Sequence, residues 1–397
     1  MEAEKTPGFS AKGLAQVAPA IRGLLATPTA DDDMPYHPVI LKALTGPEAI
    51  EFASSPEKQG GPYPPAIGRL DRPPLYLEVS GSYASAAAFR QQLAGKLEPY
   101  VAQHGAKPQA VCLRDLGVLY VSDGLPDGGQ PLHNKVALVT GSAGAIGHGI
   151  CRALLNQGCY VAATDLPGER LDAMAREFAE TAGERVVGVP LDVTDAASVA
   201  AGFERVVQTW GGLDIVVVNA GIALALALME MSLEAFQKLE KVNVEGALLT
   251  IAESGRLMSL QGTGGDIVLI SSKNVFAPGA KFGAYSATKA ASHQLARIAS
   301  LELAEFGIRV NMVAPDAVFS DGSYKSGLWA TVGPDRMKAR GLDQAGLEEY
   351  YRNRNLLKAR VTAQHVANAV LFFVTHQTPT TGATIPVDGG LPDATPR

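Results

Sequence analysis

From residue 135 the chain alternates short apolar runs with stretches of helical periodicity, and that alternation constrains the fold more than any other feature. Runs at 135–140, 160–164, 186–191 and 215–219 read as strands, with helices at 146–157, 171–181 and 196–210 between them. Further strands at 266–271 and 309–314 continue the series. Strands separated by helices are not joined by tight hairpins, and each parallel crossover needs a covering helix. The pattern therefore predicts an α/β architecture, a doubly wound parallel sheet with helices on both faces.

The part before residue 134 is different. Of the 25 prolines in 397 residues, 16 lie there, so loops dominate and few regular elements fit between them. A capped helix is expected over 82–104, with Phe89, Leu93, Leu97 and Val101 on one face and Pro99 as a point of kinking or early termination. A hairpin is expected from strands 109–113 and 117–122 around Asp115. Segment 125–134, with Pro126, Asp127, Gly128, Gly129 and Pro131, has linker composition. The expected domains are thus 1–133, a smaller α/β N-terminal extension, and 134–397.

Composition excludes several classes. Hydrophobic residues at 47% and charged residues at 19% supply a packed core. A net charge of −6 without a basic run leaves no nucleic-acid footprint, and no apolar stretch is long enough to span a bilayer. The start Met1-Glu2-Ala3-Glu4-Lys5 lacks a secretory layout. Cys112, Cys151 and Cys159 show no paired spacing, which fits small buried side chains in a reducing cytoplasm rather than disulfides or a zinc cluster.

The first strand of the alternating region runs into Thr140-Gly141-Ser142-Ala143-Gly144-Ala145-Ile146-Gly147 and then a helix. Glycines there let the backbone approach a pyrophosphate, whose charge meets the amides and dipole of the helix start. Asp165 ends the second strand, about 20 residues on, where a carboxylate accepts hydrogen bonds from the adenosine ribose. It would repel a 2′-phosphate, and no Arg or Lys stands in the glycine turn, so NAD is expected over NADP.

Downstream follow Asp192-Val193 after the third strand, Asn219-Ala220-Gly221 after the fourth, Asn243, Ser272, Tyr285-x-x-x-Lys289, Pro315 in Ala-Pro-Asp-Ala-Val, and Val387-Asp388-Gly389-Gly390. Taken in order over about 260 residues, this set resembles the short-chain dehydrogenases/reductases. The resemblance implies a Rossmann-type fold in which Tyr285 is the acid/base, Lys289 lowers its pKa and holds the nicotinamide ribose, Ser272 hydrogen-bonds the substrate oxygen, and Asn243 positions a water in the proton path. It further implies cofactor contacts from Gly141, Gly144, Ala145, Ile146, Gly147, Asp165, Asp192, Val193, Asn219, Ala220 and Gly221, and from Tyr285, Lys289, Pro315, Val318 and Ser320. The residue types suit the chemistry. Positions 285 and 289 share one helix face, and bringing a phenol from about 10 to near 7 needs about 4 kcal/mol, which a neighbouring ammonium and the cofactor's positive ring can supply.

Two departures from the family pattern matter. Ala145 replaces a glycine of the compact branch, and the spacing of the turn also fits the sugar-nucleotide epimerase branch. The chain's end soon after Val387-Asp388-Gly389-Gly390 leaves no room for that branch's C-terminal substrate domain. Asp316 stands where glycine usually follows the proline, either selecting a polyhydroxylated substrate or capping the next turn. Segment 320–358 is longer than a minimal loop and reads as a lid-like insertion with a helix at 347–357. Its Lys325, Arg352, Arg354 and Lys358 either recognise an anion or form a solvated helix face. Lys273, next to Ser272, points either into the pocket or into solvent.

The runs Ala314-Pro315-Asp316-Ala317-Val318, Gly327-Leu328-Trp329 and 351–357 are similar to the dehydrogenase half of bifunctional class II aldolase/short-chain dehydrogenase proteins. That makes residues 34–125 a shortened remnant of the aldolase domain. Zinc aldolases need converging histidines, yet the leading segment carries His37, His104 and His133 with no H-x-H pair, so no aldolase activity and no catalytic metal are expected. The expected function is NAD-dependent hydride transfer on a small hydroxylated substrate, a sugar, polyol or hydroxy-aldehyde. The alternatives are an NAD-retaining epimerase or dehydratase, and a non-catalytic NAD-binding module. The resemblance also implies a homo-oligomer, dimer or tetramer, packed through helices at 233–258 and 286–303.

Overall fold

The structure, a computed structural model, describes residues 9–11, 13–58, 63–79, 81–122, 129–319 and 326–394. The chain divides into two compact units. The larger comprises 129–203, 214–255 and 265–397; the smaller comprises 1–128 with 204–213 and 256–264.

In the larger unit the apolar runs form β1 (Val136–Thr140), β2 (Tyr160–Asp165), β3 (Val186–Pro190), β4 (Ile215–Val218), β5 (Gly265–Ile270), β6 (Ile308–Pro315) and β7 (Thr384–Val387). They pair in the order β3-β2-β1-β4-β5-β6-β7, every pair parallel. The strand order reverses between β1 and β4, which opens a crevice at the carboxyl ends of those strands. Strands covered on both faces read as unbroken apolar runs; all five residues of β1 and all four of β4 are buried.

The intervening helices are α1 (Ala145–Asn156), α2 (Glu169–Ala182), α3 (Ala196–Trp210), α4 (Leu233–Glu240), α5 (Gly246–Gln261), α6 (Gly283–Glu302), α7 (Gly327–Arg340), α8 (Gln344–Asn353) and α9 (Ala363–Val374). Helix α2 shows why they form. Leu171, Met174 and Phe178 recur at helical spacing and are its buried residues, each side chain contributing about 1.5–3 kcal/mol by leaving water. Phe178 also stacks on His148 of α1 at 4.7 Å. Between α4 and α5 the chain does not run as one helix over 233–258; a π-helical turn, Lys241–Glu245, separates them and carries Asn243.

The smaller unit has a four-stranded sheet in the order Ile40–Leu44, Gly117–Ser122, Ala110–Leu113, Leu75–Leu77. Its central pair is the expected hairpin, turned by Asp115 at φ 64°. A small cluster of Ala49, Phe52, Ala53, Ala110, Cys112 and Val118 fills one face. The expected helix starts later than residue 82, spanning Ala86–His104, because Gly81–Tyr83 pairs as a strand with Phe9–Ala11 and Ser85 caps the first turn by accepting from the Ala88 N–H at 3.1 Å. It continues through Pro99 to a left-handed Gly105. Arg22 is buried in this unit, donating to the Val39 carbonyl at 2.7 Å and to Gln261 Oε1 at 3.0 Å.

Of the expected linker, 123–128 lies outside the described residues. Leu132 is fully buried in the core of the larger unit and anchors the rest of that segment there, while 129–131 stay exposed. In the insertion, the helix expected at 347–357 begins earlier and ends earlier. Asp343 caps it, accepting from the Gly346 N–H at 2.7 Å, and Asn355 closes a turn onto Ala359 that ends it.

Candidate active site

The glycine turn is held by contact as well as by conformation. Gly141 has φ 63°, and a Cβ there would lie 2.8 Å from Ala220 Cα; a Cβ on Gly147 would lie 2.4 Å from the Gly141 carbonyl oxygen. Asn219 locks the switch point, donating from Nδ2 to the Thr140 and Gly141 carbonyls at 2.8 and 3.0 Å. Thr140 Oγ1 accepts in return from the N–H groups of Asn219 and Ala220 at 2.9 and 3.0 Å. Gly144 precedes α1 with no side-chain cap, so the first-turn amides keep their capacity for an anion. Ala145, in place of the compact-branch glycine, is buried.

Asp165 closes β2 beside this turn. Its oxygens accept from the Ala143 N–H at 2.9 Å and the Leu166 N–H at 2.8 Å, which orients the carboxylate while leaving lone pairs for a hydroxyl. Arg170 stands next to it, donating to the Ala143 carbonyl at 2.9 Å. That cation was invisible to a search of the glycine turn alone, because it arrives from α2. After β3, Asp192 folds onto itself, accepting from the Thr194 N–H and hydroxyl at 2.9 and 2.8 Å, and Val193 packs where a Cβ on Gly246 would meet it at 2.8 Å.

Beyond β5, Ser272 is buried and its Oγ accepts from the Asn274 N–H at 3.2 Å. Tyr285 lies in the first turn of α6, its ring 6.1 Å from that of Phe282. Burial raises the phenol above its ordinary value, and a hydrogen bond with Ser272 opposes the rise. Lys289, one turn on, is buried with Nζ donating to the Ile270 carbonyl at 3.0 Å. Desolvation pushes its ammonium down to about 8. Asn243 is buried beside it with its amide fully engaged: Oδ1 accepts from the Ile222 N–H at 2.9 Å, and Nδ2 donates to the Ile222 carbonyl and to Thr288 Oγ1 at 2.9 and 3.1 Å.

One cavity of about 1020 Å³ collects these groups. Its walls include the glycine turn from Gly141 to Gly147, Asp165, Asp192, Val193 and Asn219-Ala220-Gly221. Ser272, Tyr285, Lys289, Pro315 and Val318 line it too, whereas the Asn243 side chain sits behind the wall. Ser320 and Lys325 lie outside the described residues. Lys273 and Asp316 both face the cavity. So does Arg354, while Arg352 pairs with Glu349 at 3.1 Å and Lys358 Nζ donates to Asn353 at 3.3 Å.

Sequence reasoning missed Arg336, Arg340 and Asp393 on the same wall. Positions 336 and 340 are one helical turn apart, but two cations at that spacing equally describe a solvated face, so the sequence held no decisive signal. Among the described residues no three metal-ligating side chains converge, and no helix is long and apolar enough to cross a membrane. The uncapped helix end, the Asp165 carboxylate and the Lys289 ammonium along one crevice fit the pyrophosphate and two riboses of a dinucleotide.

Comparison with known proteins agrees with this geometry. The family described as short chain dehydrogenase matches residues 135–329. An uncharacterized oxidoreductase of Bacillus subtilis (strain 168), YuxG, is 35% identical over 337 residues, 84% of this chain and 48% of that protein, so the chain spans about half of that relative's length. The (-)-isopiperitenol/(-)-carveol dehydrogenase of Mentha piperita is 33% identical over 66% of this chain and 95% of its own length. Among solved structures, sorbitol-6-phosphate 2-dehydrogenase SrlD from Erwinia amylovora superposes with a TM-score of 0.60 at 30% identity, covering 64% of this chain and 98% of that one. Fold, site and relatives coincide: the chain belongs to the short-chain dehydrogenase/reductase family of oxidoreductases, which use nicotinamide cofactors.

Proposed function

We propose that this protein is an NAD-dependent alcohol dehydrogenase/reductase acting on the alcohol or carbonyl of a small hydroxylated substrate, a sugar, polyol or hydroxy-aldehyde. The reading rests on one observation above all: Ser272, Tyr285 and Lys289 line the same cavity as the uncapped start of α1. When bound, the nicotinamide cofactor supplies the hydride donor or acceptor and a positive ring.

The chain's own residues do the rest. The first-turn amides of α1 bind the pyrophosphate, Asp165 binds the adenosine ribose, and Asp192, Val193 and Asn219-Ala220-Gly221 line the floor. Pro315 and Val318 border the nicotinamide end, with Ser320 following. In oxidation, Tyr285 Oη takes the substrate hydroxyl proton while Ser272 holds the same oxygen; in reduction the proton returns. Burial alone drives the phenol the wrong way for a base. Its ionisation therefore depends on positive charge close by, and Lys289 remains mostly protonated at pH 7 because its value of about 8 lies above that pH. Asn243, whose amide holds the loop after β4 through Ile222 and also bonds Thr288, is proposed to position a water in the proton path.

NAD preference is proposed from Asp165, whose charge opposes a 2′-phosphate; Arg170 is the competing influence. A homo-oligomer is proposed through α4–α5 and α6, where Leu233, Leu248, Ile298 and Leu301 are exposed. We place the protein in the cytoplasm, where its three buried unpaired cysteines suit a reducing compartment. The match to the Bacillus subtilis oxidoreductase covers more of the chain than the dehydrogenase unit alone. The leading segment is thus shared with a longer oxidoreductase; we propose that it is a shortened remnant of an aldolase-like domain with a structural role, without aldolase activity or catalytic metal.

The test is NADH absorbance while sugars, polyols, hydroxy acids and aromatic alcohols are screened with NAD, alongside Tyr285→Phe. A polyol or sugar signal that falls about 1000-fold in the variant, with NADH affinity intact, is expected. Undiminished turnover in Tyr285→Phe would remove the phenol from its role, and no NADH from any alcohol would remove the dehydrogenase reading.

A further inference from the structure

The cavity wall facing away from the glycine turn carries more positive charge than the proposed chemistry uses. Lys273, Arg336, Arg340 and Arg354 line it together with two carboxylates, Asp316 and Asp393. These groups are close enough to act on one another. The Lys273 ammonium senses Asp316, Arg354, Asp393 and Arg336, and the Tyr351 hydroxyl senses Arg336, Arg354, Asp316 and Arg340.

Aromatic rings, not carboxylates, hold the guanidinium groups. Arg336 lies 4.7 Å over the Phe282 ring, Arg340 4.5 Å over Tyr350 and Arg354 5.1 Å over Tyr351. Among the described residues none of the three has a carboxylate within ion-pairing distance. A guanidinium stacked on a ring keeps its in-plane N–H donors free, in the fork that matches a phosphate or carboxylate. The three guanidinium groups are half-buried, and with Lys273 they outnumber the two carboxylates of this wall, so a ligand anion is the natural complement.

Position decides which molecule brings that anion. Lys273 directly follows Ser272, and Arg336 rests on the ring that touches the Tyr285 ring. The cationic wall thus borders the reacting oxygen and not the adenosine ribose, which Asp165 and Arg170 serve. Resting on the dehydrogenase reading above, we propose that the substrate is a hydroxylated compound bearing a terminal anionic group, phosphomonoester or carboxylate, and that Arg336 and Arg354 with Lys273 bind that group while its alcohol faces Tyr285. Arg340 supports the site by fixing Tyr350, to which it donates at 3.3 Å.

The test is calorimetric binding to the full chain, with and without NADH, of two matched sets: glycerol, glycerol 3-phosphate and glycerate; sorbitol, sorbitol 6-phosphate and gluconate. At least one anionic member should bind about 30-fold or more tighter than its neutral partner. Phosphate leading in both sets identifies a phosphomonoester substrate; carboxylate leading identifies a sugar acid. Arg336→Gln with Arg354→Gln should cut the preference below about threefold without changing NADH affinity. Arg354→Gln alone, checked by thermal melting, should lower it partway, and Arg354→Lys should keep more of it than Gln. Equal binding within both sets, or a preference that survives the double variant, overturns the proposal. Calorimetry needs no hydride transfer. An anion preference lost in the variants, without any NADH production, sinks the dehydrogenase reading and leaves the anion site standing. Turnover of neutral polyols with no anion preference does the reverse.

Discussion

The two ends of the cavity are built by opposite means. At the proposed nucleotide end the groups are backbone amides at the start of α1 and a carboxylate clamped by two N–H groups, held at the ends of strands whose bodies are buried. At the other end they are long cationic side chains on α7 and just past α8, steadied by aromatic rings. A rigid backbone cradle tolerates almost no change of shape and suits a part every turnover shares. Side chains on an insertion can be exchanged one at a time, which suits a part that distinguishes substrates.

The sharpest way to break this contrast is Gly147→Val. Even the first added carbon would stand 2.4 Å from the Gly141 carbonyl and 2.6 Å from Ser142 Cα, so the turn must open. We expect NADH affinity to fall at least about 100-fold, together with a lower melting temperature, as backbone that cannot yield displaces the cradle. Fluorescence titration of NADH would show it. An unchanged affinity would mean that the turn is not the pyrophosphate site.

Next in size is Asp165→Ser. Loss of the carboxylate should lower kcat/KM for NAD about tenfold and raise it for NADP, moving the ratio between them by about 100-fold. Arg170, already beside Ala143, is placed to assist the second change. A ratio that does not move would show that Asp165 is occupied in holding Ala143 and Leu166 and reads no ribose.

How much of this was legible in the sequence follows the same division. The gathering of residues at the proposed nucleotide end was, because strand, glycine turn, helix and acid recur in one linear order with one physical reason for each. The structure puts those residues on one wall. Asn243 illustrates a limit: a one-dimensional pattern places it near the site but cannot say that its amide is consumed by Ile222 and Thr288. The cationic end was not legible. Arg336, Arg340 and Asp393 acquire meaning only when α7 and the chain's final turn meet the residues after β5 and β6, and charge on a helix looks the same whether it faces water or a pocket. The start of the 86–104 helix was misplaced for a local reason: residues 81–83 pair as a strand, which a helical pattern does not reveal, and Ser85 caps the first turn.

Lys289 joins the two ends and allows a test by pH. Its folded value of about 8 lies below the ordinary 10.5, so between those values the unfolded chain binds the additional proton. Stability therefore rises as pH climbs from about 8 to 10.5, and the cost of the buried charge is fully present below 8. Lys289→Met should be more stable than the parent by about 1–3 kcal/mol at pH 7. The gap should close by pH 10.5, while turnover is lost. Urea unfolding across that range would read it, and a gap independent of pH would show that the ammonium's burial carries no such cost.

The smallest expected effect separates the three arginines. Arg340 both donates to Tyr350 Oη at 3.3 Å and stacks on that ring at 4.5 Å, and its hydrogen bond is the main cause that lowers the Tyr350 phenol. Two of its faces are thus committed to one neighbour. Among the described residues Arg336 and Arg354 have only their ring contacts, which leaves their N–H edges for a ligand. Removing Arg340 should therefore act through Tyr350 and not on the anion itself. Arg340→Gln should raise KM for an anionic substrate by less than about twofold, against about fivefold for Arg354→Gln, and should let Tyr350 titrate higher. Equal losses from both variants would mean that the ring contact does not divide the arginines by role, and that the whole cationic wall binds as one field.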